Sequence, residues 1–291
     1  MPTLTVTHTT TYRYAVPVRF GEHRMMMRPR DSHDLRLLET ALIVRPIATT
    51  RWIHDVFSNS VAIVRFSEPA AELHVESRFR AEHYPLAEGG IELAAQARQH
   101  PFSYDAEEVP DIGRTIERHY PDPNHLVDAW ARRFADQPGD RATMRILAAM
   151  TRAIQAEFTY NPRHETGTQD PLTTLNTRAG TCRDYALLMM EAARSLGFAA
   201  RFVSGYLYDD SLLGGGVGSL VGGGATHAWL QVYLPGAGWV SFDPTNGLIS
   251  DRNLIRVAVT RDPSQAVPLN GSFMGKPSDF IGMDVRVEIR A

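Results

Sequence analysis

Cysteine is almost absent: the 291 residues contain one, Cys182. A single thiol excludes an internal disulfide framework and any Cys-rich zinc site. Lysine is as scarce, with Lys276 alone against 29 arginines, a bias of composition that by itself points to no function. The net charge of −3 leaves no electrostatic footprint for nucleic acid, so none is expected as a partner. No run of about 18 consecutive apolar residues occurs, so neither a membrane span nor a membrane partner is expected. The opening Met1-Pro2-Thr3-Leu4-Thr5-Val6-Thr7-His8 has no basic start and no apolar core. No signal peptide is therefore expected, and the cytoplasm, where a free thiol stays reduced, is the expected compartment. The glycine-rich stretch from Leu212 to Gly224 has no Gly-Lys-[Ser/Thr] and no Gly-x-Gly-x-x-Gly, which argues against a phosphate cradle. No Asp-x-Asp-x-Asp-Gly calcium loop is visible. His119, His125 and His164 show no ligand spacing and read as solvated surface. No metal and no cofactor is expected.

The 18 prolines and 22 glycines announce many turns, and between them two kinds of periodicity alternate. From Thr3 to Tyr14 the residues Leu4, Val6, His8, Thr10, Tyr12 and Tyr14 share one face of a period-two pattern. Similar strands are predicted at Leu35–Val44, Thr49–Asp55, Ser60–Phe66 and Leu73–Ala81, with a hairpin turn at Asp55–Ser60. These elements form an antiparallel β-sandwich of about 85 residues, in which Met25-Met26-Met27 fills core space. Helices are expected at Ile112–Tyr120, at Leu126–Phe134 capped by Asn124, and at Asp140–Phe158. Strands are expected again at Leu254–Val259 and Gly282–Arg290.

Cys182 stands in Arg178-Ala179-Gly180-Thr181-Cys182-Arg183-Asp184-Tyr185-Ala186, directly ahead of an apolar helical run that Gly197 stops. Thr181 and Asp184 have the spacing of a capping box, so Cys182 falls in the first helical turn, where free N–H groups and the dipole favour an anion. Asp184 is sufficiently explained as a capping carboxylate, and its charge opposes ionisation of the thiol. Gly180 permits close backbone approach just before the cysteine. Downstream lie Thr226-His227-Ala228-Trp229 and Trp239-Val240-Ser241-Phe242-Asp243-Pro244-Thr245. A thiol, a histidine and an aspartate in this order suit a nucleophile, its base and the group that orients the base. Trp229 and Trp239 can wall such a site. Each residue alone has a bland reading, as a buried small hydrophobe, a strand histidine or a turn aspartate; their combination favours chemistry.

His227 and Asp243 flank Pro235-Gly236-Ala237-Gly238. In an antiparallel pair, opposed residues have a constant index sum, and its parity decides the face. A two-residue turn at Gly236-Ala237 sends the two side chains to opposite faces. An odd loop centred on Gly236 sets Asp243 opposite Trp229 and diagonal to His227. A Cys/His/Asp triad therefore demands an odd loop or a bulge. The glycine-rich run Gly214–Gly224, immediately before His227, is a candidate lid.

These segments, with Phe158-Thr159-Tyr160 and Ala193–Tyr206, resemble the bacterial transglutaminase-like cysteine protease and amidase family, a branch of the papain-like enzymes. The resemblance implies an α+β chain: an N-terminal antiparallel β-sandwich, then a transglutaminase-like core whose catalytic cysteine starts a helix packed on an antiparallel sheet. The expected divisions are residues 1–85 for the β-rich domain, 86–111 for a crossover, 112–250 for the core, and 251–291 for strands completing the fold. The resemblance also implies Cys182 as nucleophile, His227 as general base and acid, and Asp243 as orienter. Tyr160 is its candidate oxyanion donor beside the Cys182 N–H, with Trp229 shaping the substrate site. The expected activity is acyl transfer from a peptide or protein amide through a Cys182 thioester, with water as acceptor in a peptidase or amidase. An amine acceptor makes it a transglutaminase; a non-catalytic binding scaffold is the alternative of another class. Oligomeric state is left open by the sequence.

Overall fold

The computed structural model of the chain describes residues 3–85, 88–137, 139, 141–162, 167–209, 220–221 and 224–290. Six strands come first: β1 (Thr3–Phe20), β2 (His23–Arg28), β3 (Leu35–Arg45), β4 (Ala48–His54), β5 (Ser60–Phe66) and β6 (Ala70–His83). Helices α1 (Val109–Ile116), α2 (Leu126–Ala135) and α3 (Thr143–Glu157) follow, then β7 (Thr159–Tyr160), α4 (Pro171–Thr177) and β8 (Ala179–Gly180). The central helix α5 (Cys182–Ser195) precedes β9 (Ala200–Leu207), β10 (Thr226–Leu234), β11 (Gly238–Asp243), β12 (Leu248–Ile249) and β13 (Leu254–Thr260). The chain closes with β14 (Leu269–Asn270), β15 (Phe273–Met274) and β16 (Phe280–Arg290).

Two antiparallel sheets make the sandwich. One runs β15-β1-β6-β3 with β16 also on β1; the other runs β14-β2-β5-β4. Between them lie Tyr14, Val18, Phe20, Met25, Met27, Ala62, Val64, Leu73 and Val75. Met26 points the other way and joins Val61 and Ile63 in the core of the second half. Sheet alternation therefore accounts for three consecutive buried methionines: the β2–β5 sheet is covered on both faces. The C-terminal strands return to this sandwich. β16 pairs antiparallel with β1 from Thr5 to Tyr14, and β14 pairs with β2.

A third sheet, β12-β11-β10-β9-β13, carries α5 on one side. The helix is buried along almost its whole length, because β9 and β10 cover one face and α2, α3 and α4 cover others. Farther along β9 and β13, Tyr206, Tyr208, Ile255 and Val257 meet Leu4, Val6, Leu35 and Phe79 of the sandwich. Asn59 adds a paired contact, donating to the Val259 carbonyl at 2.7 Å and accepting from the Val259 N–H at 2.9 Å.

Three local expectations are corrected. The helix predicted at Ile112–Tyr120 runs from Val109 to Ile116. Pro110 is at home in a first turn, where its missing N–H is no loss, and the backbone leaves the helix at Glu117 to bring the His119 and Tyr120 N–H groups to Glu191. Asn124 does not cap α2; the Asp122 carboxylate does, accepting from the N–H groups of Leu126, Val127 and Asp128. A carboxylate that gathers three backbone donors outcompetes a neutral amide. His119 is not free surface either, since Arg261 Nη1 contacts its ring nitrogens at 2.8 and 2.9 Å. His125 is exposed as expected, and His164 lies outside the described residues.

His8 is 1% exposed and bonds the Tyr206 hydroxyl at 2.9 Å. Burial pushes its pKa down from 6.5 to about 4. The unfolded chain thus takes up a proton that the folded chain refuses, so stability falls as the pH drops from 6.5 to about 4. The expected loss is about 3 kcal/mol over that window. Urea unfolding at pH 7 and pH 4.5 measures it, and His8→Gln should flatten the difference.

Candidate active site

The site is assembled where α5 begins. Thr181 precedes the helix in extended conformation, and its backbone N–H and hydroxyl both donate to Asp184 Oδ2, at 2.8 and 2.9 Å. The other oxygen, Oδ1, accepts the Gln169 N–H at 2.7 Å. The fully buried Asp184 thus ties the helix start to the preceding segment, the capping role expected of it. Gly180 is needed for this, since a Cβ there would meet the Asp184 Cβ at 2.9 Å. Cys182 is the first helical residue, 7% exposed, and its N–H is among those with no intrahelical acceptor.

Tyr160 arrives by a separate route. β7 and β8 form a two-residue parallel ladder that pairs Tyr160 with Gly180, two positions before the thiol. Burial and then the charge and hydrogen bonding of Cys182 push the Tyr160 pKa up to about 12, so the hydroxyl keeps its proton at neutral pH and remains a donor.

The β10–β11 hairpin settles the parity. Leu234 pairs with Gly238 and Leu230 with Phe242, leaving the odd loop Pro235-Gly236-Ala237, in which Gly236 takes φ +90°. Continued by one step, this register sets Asp243 opposite Trp229 and diagonal to His227, as the odd-loop alternative requires. His227 Nε2–H donates to Asp243 Oδ2 at 2.8 Å, and both side chains are fully buried. The remaining ring nitrogen, Nδ1, is buried and makes no hydrogen bond among the described residues. Cys182 and His227 line one cleft of about 160 Å³ with Gly167, Thr181, Arg183, Thr226 and Ala228.

Burial alone would lower the His227 pKa, but the charge and hydrogen bond of Asp243 outweigh it, and Cys182 adds to them; the result is about 10. Burial likewise works to raise the Asp243 pKa and is overcome by His227, Asn246 and the Thr245 N–H, so the carboxyl stays below its usual range.

Of the five residues singled out by sequence, Cys182, His227, Asp243 and Tyr160 converge. Trp229 stands behind the site: it is fully buried, stacks on His227 with ring centroids 6.1 Å apart, and donates Nε1–H to Ser241 Oγ at 3.2 Å. It does not line the cleft. Gly205 makes room for it, since a Cβ there would meet the indole at 2.8 Å. Trp239 is farther along the hairpin, packed on Tyr233 and under Arg201, and does not wall the site. The expected lid at Gly214–Gly224 lies outside the described residues except for Leu220, Val221 and Gly224. Asn246 was not foreseen. It donates Nδ2–H to Asp243 Oδ2 at 2.9 Å, and its signal, an amide three residues after an aspartate in a turn, is too common to single out. Among the described residues no group of three or more His, Cys, Asp or Glu side chains is disposed to hold a metal.

Residues 128–244 match the transglutaminase-like superfamily, and residues 4–82 match the bacterial transglutaminase-like N-terminal region. The chain thus carries a transglutaminase-like core with a bacterial transglutaminase-like N-terminal region ahead of it. It is similar to an uncharacterised protein of Mycobacterium tuberculosis, 29% identical over 98% of this chain and 91% of that one. A shorter stretch, 26% of this chain and 11% of the relative, is 38% identical to a protein-glutamine gamma-glutamyltransferase of Pseudomonas aeruginosa. In fold it is similar to a candidate cysteine protease from Cytophaga hutchinsonii, with a TM-score of 0.67 and 18% identity over 99% of this chain and 90% of that one.

The electrostatics predict the response to breaking the pair. In Asp243→Asn only Cys182 is left to oppose the burial of His227, so its pKa should drop well below about 10. Titration of the His227 Cε1–H by NMR reads this directly. In the native protein, the Asp243 contribution to stability is present above 3.8 and lost as the pH falls. The His227 contribution is complete below 6.5 and lost as the pH rises to about 10.

Proposed function

We propose that the chain is a cysteine-dependent amide acyl-transfer enzyme, hydrolytic in its main outcome, with Cys182, His227 and Asp243 as its triad and a peptide or protein as substrate. The observation that carries the proposal is the buried His227–Asp243 pair at 2.8 Å, whose unbonded Nδ1 belongs to the cleft that Cys182 lines. A buried ion pair with one ring nitrogen kept open is costly as mere scaffolding and suited to moving a proton.

The Cys182 sulfur attacks the carbonyl carbon as thiolate, its proton held on His227. The carbonyl oxygen becomes an oxyanion, for which the Cys182 N–H and the Tyr160 hydroxyl are the donors. Collapse breaks the C–N bond, and His227 gives its proton to the departing amine, leaving a thioester. Water, deprotonated by His227, then attacks the thioester, and the acid and the thiol are released. Asp243 keeps the ring oriented and balances its charge throughout. An amine in place of water gives transamidation through the same acyl-enzyme, a second reading supported by the stretch similar to the gamma-glutamyltransferase.

Mass spectrometry of reactions with a peptide library and added amines tests both. Hydrolysis adds water to the acyl product, transamidation adds the amine, and either should vanish in Cys182→Ala. His227→Ala should lower turnover by about 10² to 10⁴, and Tyr160→Phe by about 10² with little change in stability. Iodoacetamide labelling of Cys182 that is slow and unchanged in His227→Ala would mean that no activated pair exists and that the core is a binding scaffold.

A further inference from the structure

Asn246 is 9% exposed, and every hydrogen-bonding group of its carboxamide is occupied by a different demand. Oδ1 accepts the Val221 N–H at 2.8 Å. One Nδ2 hydrogen goes to the Val221 carbonyl at 3.1 Å, the other to Asp243 Oδ2 at 2.9 Å. Because Val221 N–H needs an oxygen and the two acceptors need hydrogens, this network admits one orientation of the amide. Oδ2 is the same oxygen that His227 Nε2–H engages. The Asn246 backbone is held in turn: its N–H approaches Asp243 Oδ1 at 3.4 Å, and its carbonyl accepts Gln155 Nε2–H at 2.8 Å.

Val221 is 40% exposed, and what it contributes here is its backbone. Its neighbour Leu220 packs on the apolar cluster that contains Trp229, the ring stacked on His227. The dipeptide Leu220-Val221 therefore reaches both supports of the histidine: the apolar cluster that holds the indole behind its ring, and, through Asn246, the carboxylate on its Nε2. We infer that Asn246 is a positioning residue for the His227–Asp243 pair, and that Leu220-Val221 is the backbone clip against which it holds that pair. Without the clip, Asp243 Oδ2 loses one of its two donors and the carboxylate swings within its turn, carrying the imidazole away from the sulfur.

The inference rests on the reading of Cys182 and His227 as an activated pair, and its test separates the two. The full chain is compared with His227→Ala, Asn246→Ala and Val221→Pro. The last deletes the N–H that Asn246 accepts and keeps the amide itself, so the inference stays testable if Asn246→Ala fails to fold. Two quantities are read: the rate of iodoacetamide alkylation of Cys182 at pH 7, and the low-field proton resonance of the His227 Nε2–H bonded to Asp243. A merely structural role for Asn246 moves neither once thermal unfolding is shown to remain cooperative. Asn246→Ala and Val221→Pro should each slow alkylation by at least about tenfold and broaden the resonance beyond detection. If His227→Ala slows alkylation while the other two variants keep the native rate and resonance, the positioning role is wrong and the pair stands. If Asn246→Ala is slow and Val221→Pro is native in both readouts, the clip is wrong. If His227→Ala itself alkylates at the native rate, the functional reading fails first.

Discussion

One buried ion pair holds the three layers of the core in register. Near the end of α5, Arg194 Nη1 meets Glu191 Oε1 at 2.8 Å, with both side chains fully buried. Two such charges survive away from water only if their remaining hydrogen-bonding capacity is met. Arg194 donates to the carbonyls of Thr115, Ala200 and Arg261. Glu191 Oε2 accepts from the N–H groups of His119 and Tyr120. One helical turn thereby anchors the segment after α1, the start of β9 and the segment after β13. Cys182 sits at the other end of the same helix, and β9 is the strand on which β10 and His227 are built. Removing one partner would leave an uncompensated charge in the core, which is why this pair constrains more of the molecule than any single apolar contact.

The candidate site is organised on a similar principle, with carboxylates as collectors of donors. Asp184 gathers the helix start and the segment before it; Asp243 gathers His227, Asn246 and the following turn; Asp122 gathers the first turn of α2. In each case a buried or partly buried charge converts loose backbone N–H groups into a defined corner. Cys182 and His227 can then share one cleft although they lie 45 positions apart in sequence, because each stands on an element held in place by its own carboxylate.

The sandwich is no appendage to this core. Residues 3–83 supply both sheets, but β14, β15 and β16 complete them from the far end of the chain. The β2–β5 sheet shares its outer face with the α5 layer through Met26, Val61 and Ile63. The crossing strand β13 pairs with β9 in the core while its Ile255 and Val257 pack on the sandwich. Stability of the two halves is coupled by this shared burial, and the chain termini, paired as β1 and β16, close it.

Local and periodic features were legible from the residues alone. Alternation placed the strands of the sandwich, and Thr181 with Asp184 placed the start of α5 at the thiol, since capping needs only a few neighbouring residues. The hairpin parity argument reduced the relation of His227 to Asp243 to two alternatives, and only the pairing of Leu234 with Gly238 chose between them, because loop length depends on where the strands pack and not on the turn residues. The end of α1 at Ile116 was decided by Glu191, seventy-odd positions away, and Trp229 moved from the cleft wall to a place behind His227 because Gly205 opened room for its ring. Asn246 gained its position from a contact with Val221 that no local pattern encodes. The sequence by itself determined which side chains are candidates for chemistry and on which kind of element each one stands. Only the tertiary structure decided which of them share a cleft and what holds them there, because burial and long-range hydrogen bonds belong to pairs of segments and not to either segment alone.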